Sequence, residues 1–449
     1  MEIAAVRLDR TTAKGYHQPT EDGIMQYGYS KDHRPDLPQL KLMVAAADPS
    51  GHLLACDTPP GQSADDPLYL PLLERVRPMV NRRGLLYMGD SKMAAKEIRA
   101  SIVAHDDYYL VPLPRTGETQ QQIEKWISAI VDGEQMATLI WQGDQLLGGG
   151  YEFERVVSSK VANQPVRWTE RVQIIRSHAL ALQQTKQLHA RLDQAKEALS
   201  KLTPRPSRGK RQYRSEAALQ AVICRITQQY QVQGLLEVDF LREEKCITRY
   251  VGRGRGGGPH RKKRQEVQVR YQITDVKLNE AAIAQKQHRF GFRIQATNLP
   301  AEQVSLCQTV ANLRGAWSIE RDFHRLKSRP LGISPLYVRN DDQICGITRL
   351  LTLALRLLTL IETQVWHALA AAGESLLGLY QGQPNRATDR PTARRLLKAI
   401  ARAEITLTRI EIDGKIGWHI TPATSLLKRV LLYLKLPAAL YKPLVFDSS

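Results

Sequence analysis

Three acidic residues, Asp9, Asp90 and Glu320, stand where their side chains could hold a cation. Glu320 lies in Trp317-Ser318-Ile319-Glu320-Arg321-Asp322-Phe323-His324-Arg325-Leu326-Lys327, where an apolar ring, a carboxylate, an aromatic and a lysine recur at spacings of three, three and four. Residues three and four apart share one face of a helix. The stretch therefore sets a carboxylate and an amine on one side, amid Arg321, Arg325 and Arg329. Such a face can ligate a divalent cation while its basic groups grip phosphates. Asp9 closes the apolar run Ile3-Ala4-Ala5-Val6-Arg7-Leu8, and Asp90 closes Leu85-Leu86-Tyr87-Met88-Gly89. Short apolar runs ended by polar residues read as strands. An acid at a strand end is fixed by rigid backbone and still open to solvent. Each residue also has a bland role: a solvated surface charge for Glu320, a helix cap or turn for either aspartate.

The elements that must carry these residues follow from hydrophobic patterning. Residues 1–112 alternate apolar runs (3–8, 39–46, 52–56, 83–89, 108–112) with helical stretches (66–80, 91–104), which predicts an α/β layer structure with a mixed sheet. Hairpin-like runs follow at 136–141 and 147–156, another strand at 166–176, and a long polar helix at 178–202. Two basic loops come next, 204–211 and 253–264. The second is too Gly-rich and charged to pack, and it lacks the Gly-Lys-Ser/Thr of a phosphate-cradling loop. Strands resume at 266–273 and 290–296, and one long helical stretch at 301–328 carries Glu320. The apolar region 347–372 contains Arg349, Arg356, Glu362 and His367, so it reads as a buried helix and not a membrane span. A basic helix, a hairpin across Asp413-Gly414 and a final helix complete the chain.

Composition narrows the partner. Among 449 residues, 64 Lys and Arg face 45 acids, a net charge of +19, which points to a polyanion. The five cysteines form no CxxC pair, which argues against a zinc site or disulfide framework and suits a reducing cytosol. No N-terminal signal pattern is present. His33, Asp36 and His324 offer a rival acid–base set, but Asp36 beside Arg34 suits a local ion pair and His324 a DNA contact. No Gly-x-Ser-x-Gly or kinase signature occurs.

Several motifs then fall in order along the chain. They are Leu8-Asp9-Arg10-Thr11-Thr12; Gly28-Tyr29-Ser30-Lys31-Asp32-His33-Arg34-Pro35-Asp36; Gly89-Asp90-Ser91-Lys92; Ala296-Thr297-Asn298; and the Glu320 helix with Arg329-Pro330-Leu331-Gly332. Together they resemble the DDE transposases of bacterial insertion sequences, in the IS-four-like superfamily. The second of these stretches is similar to the Gly-x-Ser-Lys-Asp-x-Arg-Pro-Asp signature of one subgroup. The superfamily's Tyr and Arg, seven and four residues before the Glu, are Leu313 and Ala316 here, with Arg314 nearby.

The resemblance implies a ribonuclease-H-like mixed sheet flanked by helices, interrupted by a large insertion containing strands and a long helix. The expected parts are 1–112 as the first part of the catalytic core, 113–290 as the insertion, 291–385 as the rest of the core and 386–449 as a C-terminal region. It implies Asp9, Asp90 and Glu320 as catalytic metal ligands for Mg2+, with Mn2+ able to substitute. It assigns DNA contacts to Lys327, Arg314, Trp317, Arg321 and Arg325, and the basic loop adds Arg261, Lys262, Lys263 and Arg264. The expected partners are the element's terminal inverted repeats, target DNA and a second copy of the chain, in the cytoplasm at the nucleoid. Full-length relatives carry an end-recognition region ahead of the first strand, which this chain is expected to lack. The alternatives are an inactive DNA-binding relic and a structure-specific nuclease of the same fold.

Overall fold

The structure is a computed structural model and describes residues 3–29, 34–207, 210–251, 262–329, 331–402, 406–412 and 415–437. The chain forms two compact units: Met1–Pro114, Glu154–Arg171 and Ala296–Ser449 make unit 1, and Arg115–Phe153 with Val172–Gln295 make unit 2.

Unit 1 begins with an antiparallel meander of β1 (Ala5–Lys14), β2 (Gln39–Asp48) and β3 (His52–Asp57). In β2 all but the last residue are buried, as befits a strand with neighbours on both sides. Helix α1 (Tyr69–Val80) follows; its C-terminus is capped by Asn81 in the left-handed conformation, which asparagine tolerates. Then β4 (Leu86–Met88), α2 (Lys96–Val103) and β5 (Tyr108–Pro112) complete two crossovers, with β4 parallel to β1 and β5 parallel to β4.

In unit 2, α3 (Gly117–Val131) precedes β6 (Thr138–Gln142), which pairs with the first half of β7 (Gln145–Val161). β7 and β8 (Gln164–Ser177) are long enough that their joining ends belong to unit 1; the turn between them places Ala162 and Asn163 at positive φ. Two successive residues at positive φ are the hairpin geometry that matches strand twist. Helices α4 (His178–Ser200) and α5 (Glu216–Gln229) lead to a two-stranded ribbon of β9 (Leu236–Tyr250) and β10 (Lys263–Leu278). Helix α6 (Glu280–His288) packs Ile283 with Leu188, Leu192 and Ala195 of α4, and β11 (Phe292–Thr297) returns the chain to unit 1.

The remainder of unit 1 comprises α7 (Leu306–Arg314), α8 (Trp317–Lys327), α9 (Asp341–Ala372), α10 (Ala393–Ala401), the hairpin β12 (Leu407–Ile412) and β13 (Lys415–Ile420), and α11 (Ser425–Tyr433). The strand order is β3-β2-β1-β4-β5, followed by the unit 1 ends of β11, β8 and β7. The mixed sheet flanked by helices is the architecture expected. Ile319 and Leu326 of α8 and Ile344 and Leu355 of α9 share one core with Leu40, Leu42 and Val44 of β2 and with Ala13 of β1.

Four local expectations change. Strand β1 does not stop at Asp9 but runs on to Lys14, because β2 pairs with it along its whole length. The helical stretch 301–328 is two helices, α7 and α8, separated at Gly315-Ala316. The apolar region 347–372 is not uniformly buried: Leu350, Leu353, Leu357 and Leu360 of α9 are each more than half exposed. α9 is long and apolar enough to cross a membrane, but its buried face packs into the unit 1 core. Finally, α3, α5, α6 and β9 add elements that the sequence pattern did not indicate.

Candidate active site

Strand register brings two of the three acids together. β4 pairs with β1 at a constant offset of 81, as Ala5 with Leu86, Val6 with Tyr87 and Arg7 with Met88. Two residues further along the same offset, Asp9 stands level with Asp90. Gly89, between them, is needed for close approach: a Cβ there would lie 2.5 Å from Met93 Sδ and 3.3 Å from the Leu8 carbonyl oxygen. Parallel pairing lapses beyond Met88, so the two carboxylates sit where β1 and β4 part company, and both are half-buried.

Alternation along a strand sends Arg7 and Asp9 to one face and Leu8 and Arg10 to the other. Arg7 is tied down on its face, donating to Asp48 Oδ1 at 3.1 Å and to the Asn312 carbonyl at the end of α7 at 2.7 Å. Arg10 pairs with Asp65 at 2.6 Å, and Lys41 meets the same carboxylate at 2.5 Å. Asp9 Oδ1 itself accepts the Arg10 amide at 2.7 Å.

Asp90 is held by Tyr69, the first residue of α1, whose buried ring sends its hydroxyl to Asp90 Oδ1 at 2.7 Å. The same oxygen accepts the Lys92 amide at 2.9 Å. Burial pushes the Tyr69 phenol far above the usual tyrosine range; the charge of Asp90, the hydrogen bond to it and the charge of Asp9 push it further, against Arg10. Both aspartates are thus within electrostatic reach of one phenol.

Glu320 lies in the first turn of α8, over the strands but on the solvent side. Its neighbours Ile319 and Leu326 bury the opposite side. Among the described residues, no three His, Cys, Asp or Glu side chains stand together as a metal-binding group, so the structure unites Asp9 and Asp90 and does not group Glu320 with them. The carboxylate pair nevertheless fits a hard divalent cation. Two level carboxylates repel unless a positive charge lies between them, and magnesium needs only one or two carboxylates alongside waters and phosphate oxygens.

The basic residues divide into two kinds. Arg321 and Arg325, expected at DNA, turn toward the fully buried Glu362 of α9, at 3.5 and 2.5 Å. Glu362 also accepts the Ala393 amide at the start of α10, at 2.7 Å. Arg321 lies over the rings of Trp317 and Trp366. Beside them Asp322 is buried, and burial lifts its carboxyl to about 7, with Arg321 and Arg325 opposing. By contrast, Arg314 ends α7 exposed, Trp317 keeps 48 % of its surface in solvent, and Lys327 is half-buried in the last turn of α8. Lys262, Lys263 and Arg264 are exposed at the free end of the β9–β10 ribbon. Arg261, His33 and most of the Gly-rich loop lie outside the described residues.

Tyr69, Asp322 and Glu362 escaped sequence reasoning. Their partners are 21 residues away for Tyr69 and 37 for Glu362 with Arg325, so no local spacing announces them.

A family model described as "Transposase DDE domain" matches residues 3–357. That match spans most of the chain, which therefore belongs to the DDE transposase family. Among solved structures, it is similar to a piggyBac transposase, in a cryo-EM structure of a synaptic complex with hairpin DNA. The TM-score is 0.23 at 9 % identity, over 36 % of this chain and 32 % of that one, so the likeness spans about a third of the piggyBac chain. The comparison with curated proteins gives no match.

Proposed function

We propose that this chain is an insertion-sequence transposase of the IS-four-like kind, a magnesium-dependent phosphoryl transferase. It would cleave element ends and join the freed 3′-hydroxyl to target DNA. The observation that carries the reading is the β1–β4 register that levels Asp9 with Asp90, in a chain of the DDE family. Asp9 and Asp90 would hold the cations, with Glu320 completing the set from α8. When bound, two such ions would activate the attacking oxygen and neutralise charge on the leaving one. Lys327 and Arg314 would grip backbone phosphates, which sets register on DNA without reading sequence. Lys262, Lys263 and Arg264 would add sequence-independent affinity. Two copies would act together on the terminal inverted repeats, at the nucleoid.

The test is cleavage and strand joining on a plasmid carrying the gene's own flanking sequences, with Mg2+. Asp9→Asn, Asp90→Asn and Glu320→Gln should each lower cleavage at least about 100-fold, the scale on which lost charge stabilisation at a reacting phosphate is felt, and leave DNA binding intact. Full cleavage by Glu320→Gln would remove that residue from the site. One observation favours a second reading, a DNA-binding relic: Glu320 is exposed and not grouped with the aspartates. Salt-sensitive binding without any Mg2+-dependent nicking would select it, and nicking without joining would select a nuclease.

A further inference from the structure

The hydroxyl of Tyr69 is spent in an unusual way. Its ring is fully buried at the start of α1, beside Leu72, Leu73 and Val76, which are equally buried. A buried tyrosine hydroxyl needs a hydrogen-bond partner, and many backbone carbonyls could serve. Here the partner is the carboxylate of Asp90, at 2.7 Å, across 21 residues of chain. Lys92 N donates to the same oxygen at 2.9 Å. Both hydrogen bonds that Asp90 accepts from these groups enter through Oδ1. An oxygen holding two donors has engaged its lone pairs, whereas Oδ2 accepts no hydrogen bond from the described residues.

We propose that Tyr69 is a positioning residue for the cation site: its phenol O–H, with the Lys92 amide, locks the Asp90 carboxylate by Oδ1 and presents Oδ2 as the single ligating oxygen. This rests on the reading of Asp90 as a metal ligand. Groups that orient a ligand from behind set its geometry and commonly contribute 10- to 100-fold to metal affinity.

The experiment measures Mn2+ binding by electron paramagnetic resonance on the full-length chain without DNA, so that catalysis plays no part. Four proteins are compared: the unaltered chain, Tyr69→Phe, Asp90→Asn and Val76→Ala. Asp90→Asn should abolish the tightest Mn2+ site. Tyr69→Phe should raise its dissociation constant at least about 10-fold while melting cooperatively without metal. Val76→Ala, which loosens α1 but keeps the phenol, should lower the melting temperature and leave Mn2+ affinity alone. Unchanged affinity in Tyr69→Phe, an equal loss in Val76→Ala, or a Tyr69→Phe chain that no longer melts cooperatively would each overturn the assignment. If Asp90→Asn binds Mn2+ as the unaltered chain does, the ligand reading itself fails, a result distinct from failure of the tyrosine's role.

Discussion

Asp107 is almost completely buried just ahead of β5, where its Oδ1 accepts the Leu85 amide at 3.0 Å and its carbonyl accepts Asn298 Nδ2 at 3.0 Å. It pins the starts of the two parallel strands, at the end of the sheet away from Asp9 and Asp90. Burial raises its carboxyl above the ordinary aspartate value, with the Leu85 amide and Arg77 opposing. The native state therefore holds its proton to higher pH than the unfolded chain does. Stability from this group is complete below the unfolded value, near 4, and declines as pH rises through the raised native value. Asp107→Asn keeps an acceptor for Leu85 and removes the titration. The stability of the variant relative to the parent should thus increase as pH rises from about 4. Urea denaturation of both proteins at several pH values checks this, and parallel curves would refute it. Nothing in the sequence marks Asp107 apart from its neighbour Asp106, which is exposed and pairs with Arg83.

At the scale of elements, α8 is joined to the C-terminal region by one buried carboxylate. Glu362 gathers Arg321, Arg325 and the Ala393 amide. Breaking a buried ion pair from one side strands the remaining charges, at a cost of about 3–5 kcal/mol. Glu362→Leu should lose stability on that scale, and converting Arg321, Arg325 and Glu362 together to methionine should recover most of it. Chemical denaturation measures both; a Glu362→Leu loss below about 1 kcal/mol would show the cluster to be energetically idle. The ribbon of β9 and β10 makes the opposite kind of statement. Arg249 stands directly across from Arg264 at its free end, where like charges repel; Glu266 pairs with Arg249 at 3.0 Å, and Arg264 with Lys262 and Lys263 leaves that end positive. A polyanion would relieve them. Changing Lys262, Lys263 and Arg264 to glutamine should flatten the slope of log affinity against log salt by up to about 0.9 per lost phosphate contact. An unaltered slope would make the ribbon's end a solvated turn. β9 was hard to foresee because only Leu236-Glu237-Val238-Asp239-Phe240 alternate apolar with polar residues; the rest of the strand is largely exposed and depends on β10 for its definition. The Glu320 helix was legible from its spacing, but its break from α7 at Gly315 was not. There the glycine abuts Arg7, with a Cβ position 3.3 Å from Arg7 Nη2, a contact that a linear reading does not contain.

Over the whole molecule, what was legible is what repeats locally. Alternating apolar runs located β1 to β5, and the two aspartates at their ends were visible as residue types in context. Their alignment was not, because it depends on the offset between β1 and β4, a fact of pairing and not of pattern. The inward turn of Arg321 and Arg325 was hidden for the same reason: the acid that claims them lies on another helix.

Unit 1 is stitched from three stretches of chain, Met1–Pro114, Glu154–Arg171 and Ala296–Ser449. That arrangement has a consequence in time. Asp9 is synthesised 311 residues before Glu320 (320 minus 9). At roughly 5–20 residues per second, the ribosome needs about 15–60 s to cover that distance. For the last 230 residues of that interval (320 minus 90) the nascent protein has both aspartates but neither a complete α8 nor the Glu362 that pairs with its arginines. A chain released before Trp317, by a stop codon or a broken message, would carry the ribbon of β9 and β10 without α8 and without the Glu362 that pairs with its arginines.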